Sequence, residues 1–195
     1  MNNILYINAC CRENSRTNEL AQHLLGSLDG HIECVNLYEE NIRPLDAELL
    51  FKRDKLLKSG KTDDDFFRLA RQFASADTIV IAAPYWDLLF PAVFRIYLEN
   101  ITVCGITFCY SDKGIPQALC KAKNLYYVTT SGGFIGEKNF GFDYVKALAT
   151  SLFGIENVKF FSAEGLDIDT ADVAQIMKRA KDNICVDDND SHTIP

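Results

Sequence analysis

The sequence predicts an α/β protein in which a five-stranded parallel sheet is covered by helices on both faces, and three observations carry that expectation. Strand-like and helix-like segments alternate along the chain, with no internal repeat and no linker. The strand-like runs 4–9, 78–83 and 125–130 are predominantly apolar, as in strands buried on both faces of a parallel sheet. Parallel strands need right-handed crossovers, and each crossover helix must cover the sheet. At 195 residues the chain is long enough for one sizeable core. Residues 1–186 are therefore expected to form one domain, and the polar segment 187–195, with Asp187, Asp188 and Asp190, a disordered tail.

The elements follow in order. Residues 4–9 form the first strand, and the loop Cys10-Cys11-Arg12-Glu13-Asn14-Ser15-Arg16-Thr17 opens a helix whose Leu20, Leu24, Leu25 and Leu28 recur at helical spacing. Residues 32–36 read as a short second strand, and 46–58 as a helix. Asp63, Asp64 and Asp65 start the next helix, where acids complement the dipole, and Phe66, Phe67, Ala70, Phe73 and Ala74 give it an apolar face. The third strand, 78–83, leads into a second loop. Pro91 then opens a helix running to about Val103 that is apolar around most of its circumference. One side can pack on the sheet; a second copy of the chain is expected to cover another, giving a homodimer. Residues 107–110 and the turn Ser111-Asp112-Lys113-Gly114 are expected to make an excursion over the ligand-binding edge. The remaining elements are a strand at 125–130, a helix at 142–152, a fifth strand at 158–163, and a last helix at 170–184 capped by Thr170 or Asp169.

Charge and composition narrow the partners. Twenty basic against 27 acidic side chains give a net charge of −7, which disfavours nucleic acid or an anionic membrane as a partner held by bulk charge. No apolar run approaches a membrane span, and no secretory leader is visible, so a cytoplasmic protein is expected. The seven cysteines lack Cys-x-x-Cys spacing, so reduced thiols are expected in place of a metal cluster or disulfide framework.

Function is sought at the loops. With strand order 2-1-3-4-5, ligands bind beyond the carboxyl ends of the strands, where the order reverses between the first and third. The first loop delivers hydroxyls and unpaired N–H groups to a helix N-terminus, an anion site suited to one terminal phosphate held by Ser15, Arg16 and Thr17. Neither the three-glycine dinucleotide fingerprint nor a P-loop is present. Simple capping by Ser15 or Thr17 is the alternative. The second loop, Pro84-Tyr85-Trp86-Asp87-Leu88-Leu89-Phe90-Pro91, is stiffened by two prolines; Trp86 is read as a ligand contact and Phe90 as core. In Thr130-Ser131-Gly132-Gly133-Phe134 the glycines permit positive φ and close approach of the backbone to a ligand. Phe134, Phe140 and Phe142 form either an aromatic wall over a substrate or packing onto the sheet. His23, His31 and His192 lie away from these loops and read as surface residues.

On the first loop, Pro84 to Leu88, Thr107-Phe108-Cys109-Tyr110 before Lys113-Gly114, and Thr130 to Gly133, the chain resembles the flavodoxin-fold NAD(P)H dehydrogenase (quinone) and FMN-dependent NADH-azoreductase family. The resemblance covers nearly all of it except the tail. It implies a flavodoxin-like three-layer sandwich and bound FMN. Ser15, Arg16 and Thr17 would hold the phosphate, with Cys10 beside them where the family usually has the serine of Ser-Pro-Arg. Pro84, Tyr85, Trp86, Asp87 and Leu88 match a motif commonly reading Pro-Met-Tyr-Asn-Phe, and Thr130, Ser131, Gly132 and Gly133 one often reading Ser-Arg-Gly-Gly; both would line the flavin. Phe134 and Phe140 would face the substrate. The implied activity is ping-pong hydride transfer from NADH or NADPH through FMN to a small-molecule acceptor such as a quinone or azo compound. No protein acid or base and no metal is required, because the cofactor carries the chemistry. Two rivals remain, an FMN-binding electron carrier and a cofactor-free interaction module. The wide loop from Gly105 to Pro116 is read as favouring a covered pocket over the carrier. A nucleophilic role for Cys10 and Cys11 is a further idea, since thiol pKa values fall at a helix N-terminus.

Overall fold

The computed structural model describes residues 2–186. Its central sheet is formed by β1 (Asn3–Asn8), β2 (His31–Asn36), β3 (Thr78–Ala82), β6 (Asn124–Thr130) and β7 (Asn157–Ala163), all parallel, in the order β2-β1-β3-β6-β7. This is the expected 2-1-3-4-5 arrangement. The expected tail, 187–195, and His192 lie outside the described residues.

The pleat of the central strands sorts their side chains into two cores. On one face Leu5, Ile7, Ile79, Ile81, Leu125 and Tyr127 pack against α3 (Arg68–Ser75), α4 (Ala92–Ile101) and α5 (Phe140–Leu148). On the other, Ile4, Tyr6, Val80, Tyr126 and Val128 pack against α1 (Arg16–Leu25) and α6 (Val173–Asp182). Strands flanked by two cores must be apolar at consecutive positions, which explains why β3 is buried throughout. The helix α2 (Ala47–Lys58), capped by Asp46, has no fully buried residue; its Leu56 and Leu57 pack with Phe67 of a short 3-10 turn that Asp64 caps. His23 and His31 are exposed.

Two expectations are corrected. The last helix is capped by Asp172, whose carboxylate accepts the Gln175 N–H at 3.0 Å, and not by Thr170 or Asp169. The excursion is a hairpin of β4 (Phe108–Tyr110) and β5 (Pro116–Ala118), and it lies at the edge opposite to the one expected. Lys121 N–H donates to Ala74 O at the end of α3, Lys123 N–H donates to Asp77 O before β3, and Ala118 sits against Gly154 before β7. All three contacts are at the amino ends of the strands, because α4 has by then carried the chain back across the sheet. The hairpin therefore covers no ligand at the carboxyl edge of its own chain, and gives no ground for preferring an enzyme to a carrier.

Candidate functional site

The carboxyl edge holds a cleft of about 290 Å³. The first loop, the second loop, the start of α1 and the loops after β6 and β7 all contribute to its lining. Ser15 takes an extended conformation and caps α1: its Oγ accepts the Asn18 N–H at 3.2 Å, while Glu19 N–H donates to Ser15 O at 2.9 Å. Capping uses Oγ as an acceptor, so the hydroxyl proton can still be donated, and the amides of Arg16 and Thr17 have no acceptor within the helix. The capping and anion-site readings of this loop are thus compatible. Tyr6, deep in the core, donates its hydroxyl to Asn18 Oδ1 at 2.6 Å and fixes the first turn from below.

Thr17 differs from expectation in its side chain. It is fully buried and its hydroxyl lies 2.6 Å from that of Thr130, so it ties α1 to the end of β6 and can offer a ligand only its N–H. Arg16 crosses the cleft mouth, its Nη1 donating to Asp167 Oδ1 at 3.0 Å and to Leu166 O at 3.4 Å. Cys10 lies beneath the loop. Its N–H donates to Asn8 Oδ1 at 3.0 Å, its Sγ is 3.7 Å from Ala82 O, and burial pushes its thiol up to about 11. A thiol held protonated in this way is no nucleophile at neutral pH, against the idea of a reactive Cys10.

The second loop contributes Pro84, Tyr85 and Trp86 to the cleft. Tyr85 N–H donates to Thr130 O, and its hydroxyl to Lys138 O at 2.8 Å. Trp86 and Leu89 exchange backbone hydrogen bonds around a tight turn whose central residues, Asp87 and Leu88, have φ of 51° and 67°. Two positive values in succession make a type I′ turn, for which leucine is a poor choice and which costs about 1–2 kcal/mol at Leu88. This turn carries Asp87 and Leu88 away from the cleft; Asp87 lines instead an apolar groove of about 740 Å³ with Tyr38, Leu89, Phe90, Val93 and Tyr144. Trp86, 39% exposed, borders both spaces, while Phe90 is core as expected.

The third loop is laced to the loop after β7. Ser131, Gly132 and Gly133 accept N–H groups from Leu166, Asp167 and Gly165, and buried Ser131 donates its hydroxyl to Gly133 O at 2.6 Å. Neither Gly132 nor Gly133 has positive φ, so that part of the expectation for them is corrected. Gly132 is needed for close approach: a Cβ there would lie 2.5 Å from Asp167 Oδ2. Gly133 meets no neighbour and does not line the cleft. Phe134 and Phe140 are 78% and 52% exposed and stand outside the cleft lining, whereas Phe142 packs against Tyr127 and Phe160. The aromatic set is thus divided between surface and core.

Of the expected residues the cleft brings together Ser15, Arg16, Thr17, Pro84, Tyr85, Trp86, Thr130, Ser131 and Gly132, and it adds Cys11, Arg12, Asn14, Leu166 and Asp167. Arg12 and Arg16 against Asp167 leave the lining net positive in a chain of charge −7. A signal for Leu166 and Asp167 was available, since Glu164-Gly165-Leu166-Asp167 is also a strand-end loop with a glycine, at φ 76°.

A family model described as flavodoxin-like fold matches residues 2–186. Among curated proteins, the FMN-dependent NADH:quinone oxidoreductase of Lachnoclostridium phytofermentans is 34% identical over 194 residues, covering 93% of this chain and 96% of that protein. The protein of the same name from Coprothermobacter proteolyticus is 33% identical over 184 residues, covering 89% and 91%. Among solved structures, an azoreductase from Bacillus anthracis str. Sterne superposes with a TM-score of 0.81 at 22% identity, covering 93% of this chain and 96% of that one. An FMN-dependent NADH-azoreductase from Bacillus anthracis str. Ames Ancestor, in complex with FMN, gives 0.78 at 24% identity, covering 93% and 95%. At these identities the two structures establish the shared fold.

Proposed function

Since this chain belongs to the flavodoxin-like fold family, we propose that it is an FMN-dependent NAD(P)H oxidoreductase that reduces quinones, azo compounds or related flat acceptors. The observation that carries the reading is one cleft in which a capped helix start, with the amides of Arg16 and Thr17 unengaged by the helix, faces the same space as Trp86 and the Thr130–Gly132 backbone. The first part suits a phosphate and the second a flat polar ring, and their combination fits FMN. Relatives carrying FMN and NADH in their names align over nine-tenths or so of the chain, which supports the same choice.

When bound, FMN would supply the redox chemistry that links NADH or NADPH to the acceptor. The chain's own work is placement and electrostatics. Ser15 Oγ–H, the amides of Arg16 and Thr17 and the guanidinium of Arg16 would hold the phosphate. Gly132, lacking a Cβ, leaves room for the Asp167 side chain beside the loop that would line the ring. Trp86 shields one end of the cleft from water. Cys10, buried behind the loop, acts on the cofactor only by shaping that loop. Asp87 belongs to the wall of the apolar groove, where a flat acceptor or a second subunit would meet Trp86.

The homodimer expected from the helix opened by Pro91 belongs to this proposal. Phe94, Tyr97, Leu98 and Ile101 of α4 are buried in the chain's own core, so the subunit contact falls to Ala92, Val93, Arg95 and Ile96 and to the groove with Tyr144. A light-scattering mass of two chains at micromolar concentration is expected; a mass of one refutes this part. Cytoplasmic location is likewise proposed, supported by the free thiols of Cys10, Cys11, Cys34, Cys104, Cys109 and Cys120. Among the described residues no helix is long and apolar enough to cross a membrane.

The activity is tested by steady-state oxidation of NADH with a soluble quinone. Turnover that depends on FMN and shows parallel double-reciprocal lines is expected. Absence of turnover by protein with bound FMN would instead indicate an electron carrier.

A further inference from the structure

This inference rests on the reading of the cleft as an FMN site. Arg16 leaves the first turn of α1 and reaches the loop after β7, where Asp167 Oδ1 and Leu166 O both accept from its Nη1. Asp167 is itself fixed from two directions. Its N–H donates to Gly132 O at 3.0 Å, and its carboxylate occupies the space that a side chain at position 132 would need. The bridge thus joins three cleft-lining segments and stands beside the helix start on which a phosphate would rest.

We propose that Asp167, acting through Arg16, is a positioning residue that makes the cleft selective for a flavin ending in a single phosphate over a flavin dinucleotide. A terminal phosphate needs no change in the bridge. Only Nη1 is engaged, so the other N–H groups of the guanidinium remain available to it. A dinucleotide must carry a second phosphate and an adenosine past the bridge, which separates Arg16 from Asp167 and brings an added negative charge to the Asp167 carboxylate. The cleft, about 290 Å³, is at the small end of ligand pockets, which span roughly 300–1,000 Å³. Because the pair is exposed, opening it weakens dinucleotide binding by about fivefold at most, and the repulsion between like charges adds a comparable factor.

The test is titration of the flavin-free full chain with FMN and with FAD, read by flavin fluorescence, for the wild type and for Asp167→Asn, with Asp167→Glu as the conservative variant and circular dichroism as the check on folding. The wild type is expected to prefer FMN. Asp167→Asn is expected to narrow that preference about tenfold, mainly by tightening FAD while FMN changes less than about threefold, and Asp167→Glu to restore it. A preference that is absent in the wild type, unchanged in Asp167→Asn, or lost only because FMN weakens overturns the inference while leaving the FMN site standing. A wild type that binds neither flavin overturns the functional reading beneath it.

Discussion

Ser15 holds two positions at once, and substitution can separate them. As the cap of α1 it accepts one N–H, and as a cleft residue it can donate its proton to an anion. Asp is as good a cap as Ser, so Ser15→Asp should leave stability to urea within about 0.5 kcal/mol. The same change places a carboxylate where a phosphate would rest, so FMN affinity should fall at least about tenfold by fluorescence titration. Unchanged affinity would remove Ser15 from the site. Leu88 carries a second, opposite prediction. At φ 67° and 42% exposed it pays a conformational penalty with little burial in return, and asparagine tolerates that region. Leu88→Asn should raise the unfolding free energy by about 0.5–1 kcal/mol in urea denaturation; a loss would show that its packing outweighs its backbone. Residue types alone mark which loops matter, because hydroxyls before a helix and an aromatic between prolines each have a physical use. Side-chain direction was another matter. Thr17 has the right chemistry for phosphate yet turns to Thr130, and Asp167 has no chemistry that flags it until Arg16 is seen to reach it.

Secondary elements were more readable than their ends and excursions. The buried strands β1, β3 and β6 announce themselves by continuous apolar runs, and α1 by its leucines, because burial on a parallel sheet dictates those patterns. The start of the last helix is ambiguous in the sequence since Asp169, Thr170 and Asp172 are all competent caps, and only the chain's approach to α6 chooses Asp172. The edge at which the hairpin β4–β5 lies is not legible in the sequence, because local turn signals say nothing about where α4 ends. Its attachment is testable. Gly154, at φ 68°, has its missing Cβ position 2.5 Å from the Ala118 Cβ, so Gly154→Ala meets both backbone strain and a clash with β5. A loss of about 2–3 kcal/mol in unfolding free energy is expected, with amide exchange accelerated first in the hairpin. A cost below about 0.5 kcal/mol would mean the hairpin is not held there.

The molecule as a whole is a sheet between two dense cores, and its ionisable groups inherit that burial. Desolvation pushes the Cys10 thiol up to about 11 and that of Cys120 up to about 12, and it also raises the Tyr6, Tyr97 and Tyr127 phenols. The folded state therefore keeps protons that the unfolded chain releases from about pH 8.5 upward. The stability these neutral groups support is complete below that pH and is lost as pH climbs through 11 and 12. Each thiol contributes a slope of at most about 1.4 kcal/mol per pH unit, so urea midpoints should be flat from pH 7 to 8 and fall steadily above 9. Cys10→Ala should make that decline shallower; an identical decline would assign it to Cys120 and the tyrosines. Bound FMN should oppose unfolding across the range, by about 2.7 kcal/mol at a free concentration a hundred times its Kd.

Whether the carboxyl edge of the sheet seats a phosphorylated flavin is decided by the visible absorption of the purified, full-length protein before and after titration with FMN. Flavin bands that shift on binding and saturate at one FMN per chain are the expected result. A protein that stays colourless and leaves the spectrum of added FMN unchanged would contradict the assignment of the cleft between Ser15, Trp86 and Gly132.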